Sequence, residues 1–347
     1  MRRIALLGVL IAIPVLFAAA PAGACGGLVG ENGTIQLTRT STLAAYHDGV
    51  ERYVTSFEFT GEGAEVGSIV PLPGVPTDVK RGGDWTLQRL EQEVRPPIRE
   101  FAAASTTNLD SAKAEVLLET KIDALDITVL RGGSEAVGKW ALDHGFLLTP
   151  DAPKVLAFYA QRSPIFMAAR FDASRAQALG QTSGDGTPIM VTIPTAEPWV
   201  PLRILALGLD RAKVVDADVF LLTDQRPTLR AGSTGLELAR SDAASEGLLA
   251  DLRSDKGMGW VPDQMWLSYL RVNTAAKNLD YDLAVSTHTG VVPSARMVGI
   301  GLPGGPVPSS SSSGVPVWQV SAIVGALLAV STALAVRARR RASVVAS

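Results

Sequence analysis

Cysteine and histidine are nearly missing from this chain. Its 347 residues include one cysteine, Cys25, and three histidines, His47, His144 and His288. A single thiol excludes any disulfide within the chain and any zinc site built on cysteine pairs. The histidines stand isolated, with no H-E-x-x-H among them, so a zinc site would have to be assembled from distant carboxylates and lone imidazoles. His47 beside a turn and His144 near a helix end read as surface or capping residues. Also absent are a G-x-S-x-G elbow, a Walker loop and a G-x-G-x-x-G after a strand; "RGGDW" and "SGDGT" read as turns. No catalytic residue, cofactor or metal is assigned. An excess of basic charge is lacking too. Six of the 32 Lys and Arg residues sit in the terminal segments, leaving 26 against all 34 Asp and Glu, a formal charge of −8 between the ends. That balance excludes nucleic acid, whose binding needs Lys and Arg to neutralise phosphates.

What the chain has in quantity is apolar sequence, 47% of its residues, enough for a substantial core. Two runs stand out. Arg2 and Arg3, then Ile4 to Phe17, then Ala22-Gly23-Ala24, have the layout of a secretory signal peptide over residues 1–24. A retained N-terminal membrane helix is the alternative, although spans usually need about 18 or more apolar residues and this run is shorter. The second run, Val317 to Val336, carries no charge and as a helix would be about 30 Å long, the thickness of the hydrocarbon layer. Trp318 suits the outer interface, and Arg337, Arg339, Arg340 and Arg341 place residues 337–347 in the cytoplasm. The expectation is a single-pass cell-membrane protein with most of its chain extracytoplasmic. Gly325, Ala329 and Ala333 form a small-residue stripe, too common in alanine-rich spans to imply a dimer.

Cys25 would be the first residue after the cut. Ala22-Gly23-Ala24-Cys25 resembles a lipoprotein lipobox, with Ala22 where leucine is usual. Lipidation at Cys25 and cleavage before an unmodified Cys25 both stay open, and a lipid would be a second tether beside the C-terminal helix. Residues 299–316, "GIGLPGGPVPSSSSSGVP", have the composition of an extended linker.

Residues 25–298 read as an α+β domain, mostly antiparallel strands with helical hairpins. Asp48-Gly49 predicts a two-residue hairpin, followed by a strand with Tyr53, Phe57 and Phe59 on one face. A helix is expected from an N-cap at Asp84, with Leu87, Leu90 and Val94 inward and Pro96-Pro97 ending it. A strand pair follows over 115–130. Ser134 is expected to cap a helix burying Val137, Trp140 and Ala141 and closed by Gly145. A second helix runs over 153–162 with Leu156 and Tyr159. "PIFMAARFD", "PIMVTIPT", "PLRILALGL" and "KVVDADVFLLTD" read as strands, 245–255 and 263–272 as helices, and "YDLAVSTH" as the last strand. Two rounds of strands then helices, with a seam near Ser163, leave a bilobal arrangement open.

The runs "NGTIQLTRTSTLAAYHDGVERYVTSFEF", "VPLPGVP" and "AVGKWALDHGFLLTPDAPKVLAFYAQRSPIFMAARFD", with "PIMVTIPTAEPWVPLRI" after them, resemble the bacterial family known as domain of unknown function 2330. The resemblance covers most of residues 25–290. It implies an exported protein, often with a C-terminal membrane helix in actinobacterial members, and carries over no activity or catalytic residue. The second cysteine that some members have shortly after the first is absent here.

Two functional classes follow. One is a non-enzymatic cell-envelope module binding an envelope protein, glycan or peptide, with Trp199, Trp260 and Trp266 as candidate surface aromatics. The other is an envelope hydrolase assembled from dispersed residues such as Asp280, Asp282 and His288. Asp216 with Asp218, and Asp280 with Asp282, lie two apart and would share strand faces; a solvated edge explains both pairs without a metal.

Overall fold

Asp48 and Gly49 take φ of 50° and 74°, the left-handed pair that a tight hairpin requires, and join β2 (Thr40–His47) to β3 (Val50–Phe57). This hairpin is the middle of the largest sheet. The computed structural model describes residues 27–30, 40–57, 66–94, 115–181, 186–232 and 234–306. The signal peptide, Cys25, Phe59, Pro96-Pro97, residues 307–316, the expected span and the tail lie outside them. Among the described residues no helix is long and apolar enough to cross a membrane.

The architecture is α+β, with mostly antiparallel sheets and five helices among the described residues. One sheet has seven strands in the order β13-β14-β11-β2-β3-β9-β5. Besides the central hairpin it contains β5 (Asp78–Arg81), β9 (Thr187–Pro194), β11 (Val214–Thr223), β13 (Leu236–Ala243) and β14 (Trp266–Ala275). Its one parallel pair is β2 with β11. A five-stranded sheet runs β1-β4-β8-β7-β6, from β1 (Gly27–Gly30), β4 (Val66–Leu72), β6 (Glu115–Ile122), β7 (Leu125–Arg131) and β8 (Ile165–Phe171). A small sheet has β15 (Leu283–Ser286) between β10 (Trp199–Val200) and β12 (Thr228–Arg230). Strands from both sides of Ser163 meet in the two larger sheets, so neither divides there.

Alternation along the strands builds layers. Ala44, Tyr53 and Val191 of the large sheet meet Val70, Ile127 and Met167 of the five-stranded one in a shared core. The opposite face of the large sheet, with Leu43 and Val54, is covered by α1 (Thr86–Val94) and α5 (Glu246–Ser254). The opposite face of the other sheet, with Ile69 and Phe166, is covered by α2 (Ser134–Asp143) and α3 (Ala152–Ala160). A short helix, α4 (Ala173–Ala178), follows β8, capped by Asp172.

Several expectations hold in detail. Val137, Trp140 and Ala141 are buried on α2, and Gly145, with φ of 77°, closes it. The helix expected over 245–255 is α5, and Ser245 accepts the Leu248 N–H at its start. Others need correction. Gly133 is the cap residue of α2 and no side chain caps it, so Ser134 is already helical. Asp84 does not cap α1 either; Asp255, from the end of α5, accepts the N–H groups of Asp84 and Trp85 and the Thr86 hydroxyl at 2.8–3.0 Å. Residues 263–272, expected helical, hold the start of β14, because pairing with β11 on one side and β13 on the other offers every backbone group a partner. "PLRILALGL" forms a 3-10 turn, Arg203–Ala206, not a strand. Side chains hold its leading N–H groups: Asp282 accepts from Leu202 and Arg203, and the Tyr159 hydroxyl from Ile204. Residues 299–306, expected as linker, are packed, with Leu302 buried and Ile300 against the α2–α3 core.

Candidate functional site

The tip of α3 and the segment joining β9 to β10 enclose a cleft of about 420 Å³. Arg162 forms one wall, Thr195, Glu197 and Trp199 a second, and Arg296 and Met297, beyond β15, a third. Its volume falls in the range of small-ligand sites.

Arg162 is held in place from behind. Its guanidinium donates to the carboxylate of Asp282 and to the Met297 carbonyl, and its carbon lies 4.5 Å from the ring centres of both Phe158 and Trp199. Asp282 is fully buried and also accepts the Tyr159 hydroxyl at 2.9 Å, the Leu202 N–H at 2.8 Å and the Arg203 N–H at 3.0 Å. A buried carboxylate so supplied with donors stays paired. Burial, then the Asp282 charge, pushes the Tyr159 phenol well above its ordinary range, so that group remains a neutral donor. Arg296 is exposed and donates to the Gln161 carbonyl at 2.6 Å. Glu197 on the facing wall is exposed as well. The Arg162–Asp282 pair cancels itself and Arg296 balances Glu197, so the cleft is polar with no net charge.

The expected hydrolytic set is not assembled. Asp282 turns inward to Arg162. Asp280 is half-buried, its carboxyl raised by burial against the pull of Arg203 and Lys154. His288 is exposed beyond β15. Asp218 is buried and accepts the Tyr269 hydroxyl at 2.7 Å, while Asp216 is only partly covered. Near Asp218 stands Glu91 of α1, which accepts the Ser41 hydroxyl; its carboxyl is raised mainly by burial, with Asp218 adding to the effect. The tryptophans form no common surface. Trp199 is 3% exposed and stacks on Tyr159, Trp260 packs beside α5 under Arg52, and Trp266 donates to Ser241.

Two features escaped the sequence reading. His47, Asp48 and Asp224 bring one ring nitrogen and two carboxylates within 4.8 Å of one another, a spacing a divalent ion could use. Both ring nitrogens are already engaged, Nδ1 with Asp224 at 2.5 Å and Nε2 with Asp48 at 3.3 Å, which accounts for the cluster as a tie between the hairpin and the end of β11. The His47-Asp48 dipeptide was visible in the sequence, but Asp224 lies 177 residues from His47. The other is Glu51, buried in β3 behind Trp199, which nothing in its local sequence distinguishes from a surface glutamate.

No curated protein matches the chain. Among solved structures it is similar to baculovirus P35 at 12% identity, covering 72% of this chain and 96% of that one, with a TM-score of 0.39. The P35 of a caspase-8/P35 complex gives 11% identity, the same coverage and the same TM-score. A caspase-cleaved, mutated P35 gives 9% identity over 73% of this chain and 99% of that one, again at 0.39. A likeness this slight carries no argument about fold or activity. The model of the family described as "Uncharacterized protein conserved in bacteria (DUF2330)" matches residues 19–251, and the chain belongs to that family.

Proposed function

We propose that this chain is a cell-envelope binding module, exported by residues 1–24, held to the membrane by 317–336, and receiving a short peptide segment of an envelope partner in the Arg162–Arg296 cleft. The observation that carries the reading is the cleft itself: about 420 Å³, lined by fixed guanidinium groups and an exposed carboxylate, and charge-balanced. Such a lining suits peptide, whose amides and termini use donors and acceptors of both signs. The glycan reading loses its main support because Trp199 is buried and offers no open face for stacking a sugar. The hydrolase reading loses its residues, since Asp282 is locked in an ion pair and His288 is exposed beyond β15.

Panning a random peptide library against the full chain in detergent micelles tests the module. Enriched peptides are expected to bind at least about tenfold more weakly, 1.4 kcal/mol, to Arg296→Glu than to the parent. Failure to enrich any sequence, or binding indifferent to Arg296→Glu and Glu197→Arg, rejects it. Protease added to intact cells tests the orientation: the bulk of the chain is expected to be digested and the tail after 336 spared.

A further inference from the structure

Glu51 is 1% exposed, and neither of its carboxyl oxygens has a hydrogen-bond partner. The side chain lines a void of about 10 Å³ with Ala44, Tyr46, Leu221, Thr223, Trp199 and Val285. That is the lower limit for a single water. Trp199 is a wall of this void and of the cleft alike. A buried, unpartnered carboxyl is a standing cost that an apolar side chain would not incur, and here it sits where the small sheet closes on the large one.

We propose that Glu51 is a proton-operated latch on the cleft: the protonated carboxyl lets β10 and β15 seat against β2, β3 and β11, and loss of the proton releases Trp199. The inference rests on reading the cleft as the binding site. The groups facing Glu51 bring no compensating charge. From β2, Tyr46 donates its hydroxyl to the Thr195 carbonyl at 2.8 Å. From β11, Thr223 donates to the Gln225 carbonyl at 2.8 Å, and Asp224 just beyond is tied to His47. Trp199 and Val285 come from β10 and β15, and Ile193 of β9 is opposite Glu51 in register. Arg52, next along β3, lies over Trp260.

Burial pushes the Glu51 carboxyl from 4.5 up to about 8, and the Trp199 N–H pulls the other way without reaching hydrogen-bond geometry. Once opened to water the carboxyl returns toward 4.5. Between those two values the open form is ionised and the closed form protonated, so opening releases a proton and is favoured as pH rises. Below the interval both forms hold the proton and above it neither does, so the dependence disappears at each end.

Hydrogen exchange on the full chain in micelles, at the amides of Thr195, Ala196, Glu197, Trp199 and Val200 and corrected for intrinsic rates, reads this opening. Protection is expected to fall roughly tenfold per pH unit from about 5 to about 8 and then level off, and to be flat in Glu51→Gln. Wild-type protection that does not change over that interval, or a change that persists in Glu51→Gln, overturns the latch. Should Glu51→Gln fail to fold, the wild-type curve decides alone: levelling near pH 8 supports the latch, and a slope that is absent or continues beyond it overturns it. Peptide binding with pH-independent protection removes the latch and keeps the module. An intact titration with no peptide binding removes the module and keeps the latch.

Discussion

Asparagine at position 282 would keep the shape of the Asp282 side chain and remove its charge. Arg162, 5% exposed at its side chain, would then be a buried cation without its carboxylate. One oxygen that now accepts from Tyr159 and from the Leu202 and Arg203 amides would meet the same donors more weakly. Breaking one partner of a buried pair costs about 3–5 kcal/mol, and Asp282→Asn is expected to lose that much in urea denaturation followed by circular dichroism. The 3-10 turn should loosen with it, since its first amides bind that carboxylate. At this scale the sequence hides most of what matters. "DYD" at 280–282 looks like a solvated edge, and its role depends on Arg162, 120 residues away. Glu51 is equally silent, because burial is decided by a sheet that closes from the other end of the chain.

Helix α1 shows how one element borrows its ending from another. Asp255 accepts two amides and one hydroxyl at the start of α1 while its own backbone N–H caps the last turn of α5, so the two helices are stapled at one point. Gly83 makes room for this: a Cβ there would fall 2.2 Å from the Thr86 hydroxyl and 2.3 Å from an Asp255 oxygen. Asp255→Ala is expected to cost about 1–3 kcal/mol, the price of unsatisfied helix donors. Gly83→Ala should cost a similar amount by displacing the same carboxylate. The double variant should be little worse than either single one, and a denaturation cycle giving full additivity would show that the two act separately. Elements with local signatures were readable in the sequence: the Asp48-Gly49 hairpin, the Val137, Trp140 and Ala141 stripe, the helix over 245–255. Those decided by distant partners were not. Leu267, Ser268, Tyr269 and Leu270 of β14 are all buried, so the strand lacks period-two alternation, and Met265, Trp266 and Tyr269 fall at a spacing that also fits a helix.

For the molecule as a whole, the layers and the parallel pairing of β2 with β11 draw on strands from β1 through β15, and the described glycine-rich end, up to Pro306, is part of the same compact unit. Composition alone made residues 299–306 look like tether, yet Gly299 and Gly304 each allow a close approach. Gly299 takes φ of 87°, and a Cβ on it would stand 2.1 Å from the Phe158 ring; one on Gly304 would stand 2.7 Å from the Lys154 side chain. Leu302 and Val298 are buried with Phe158 and Leu156 of α3. Phe158 and Arg162, on consecutive turns, thus join this closing segment to the cleft wall. Gly299→Ala is therefore expected to destabilise the fold by about 2 kcal/mol or more, from backbone strain and overpacking together. Limited proteolysis with mass spectrometry reads the same boundary in the parent protein. Cleavage is expected after residue 306 and not within 299–306, and Gly299→Ala should open the earlier sites. If instead the parent is cut first between Gly299 and Pro306 while α3 stays intact, the segment belongs to the tether, and the cleft must be stable without it.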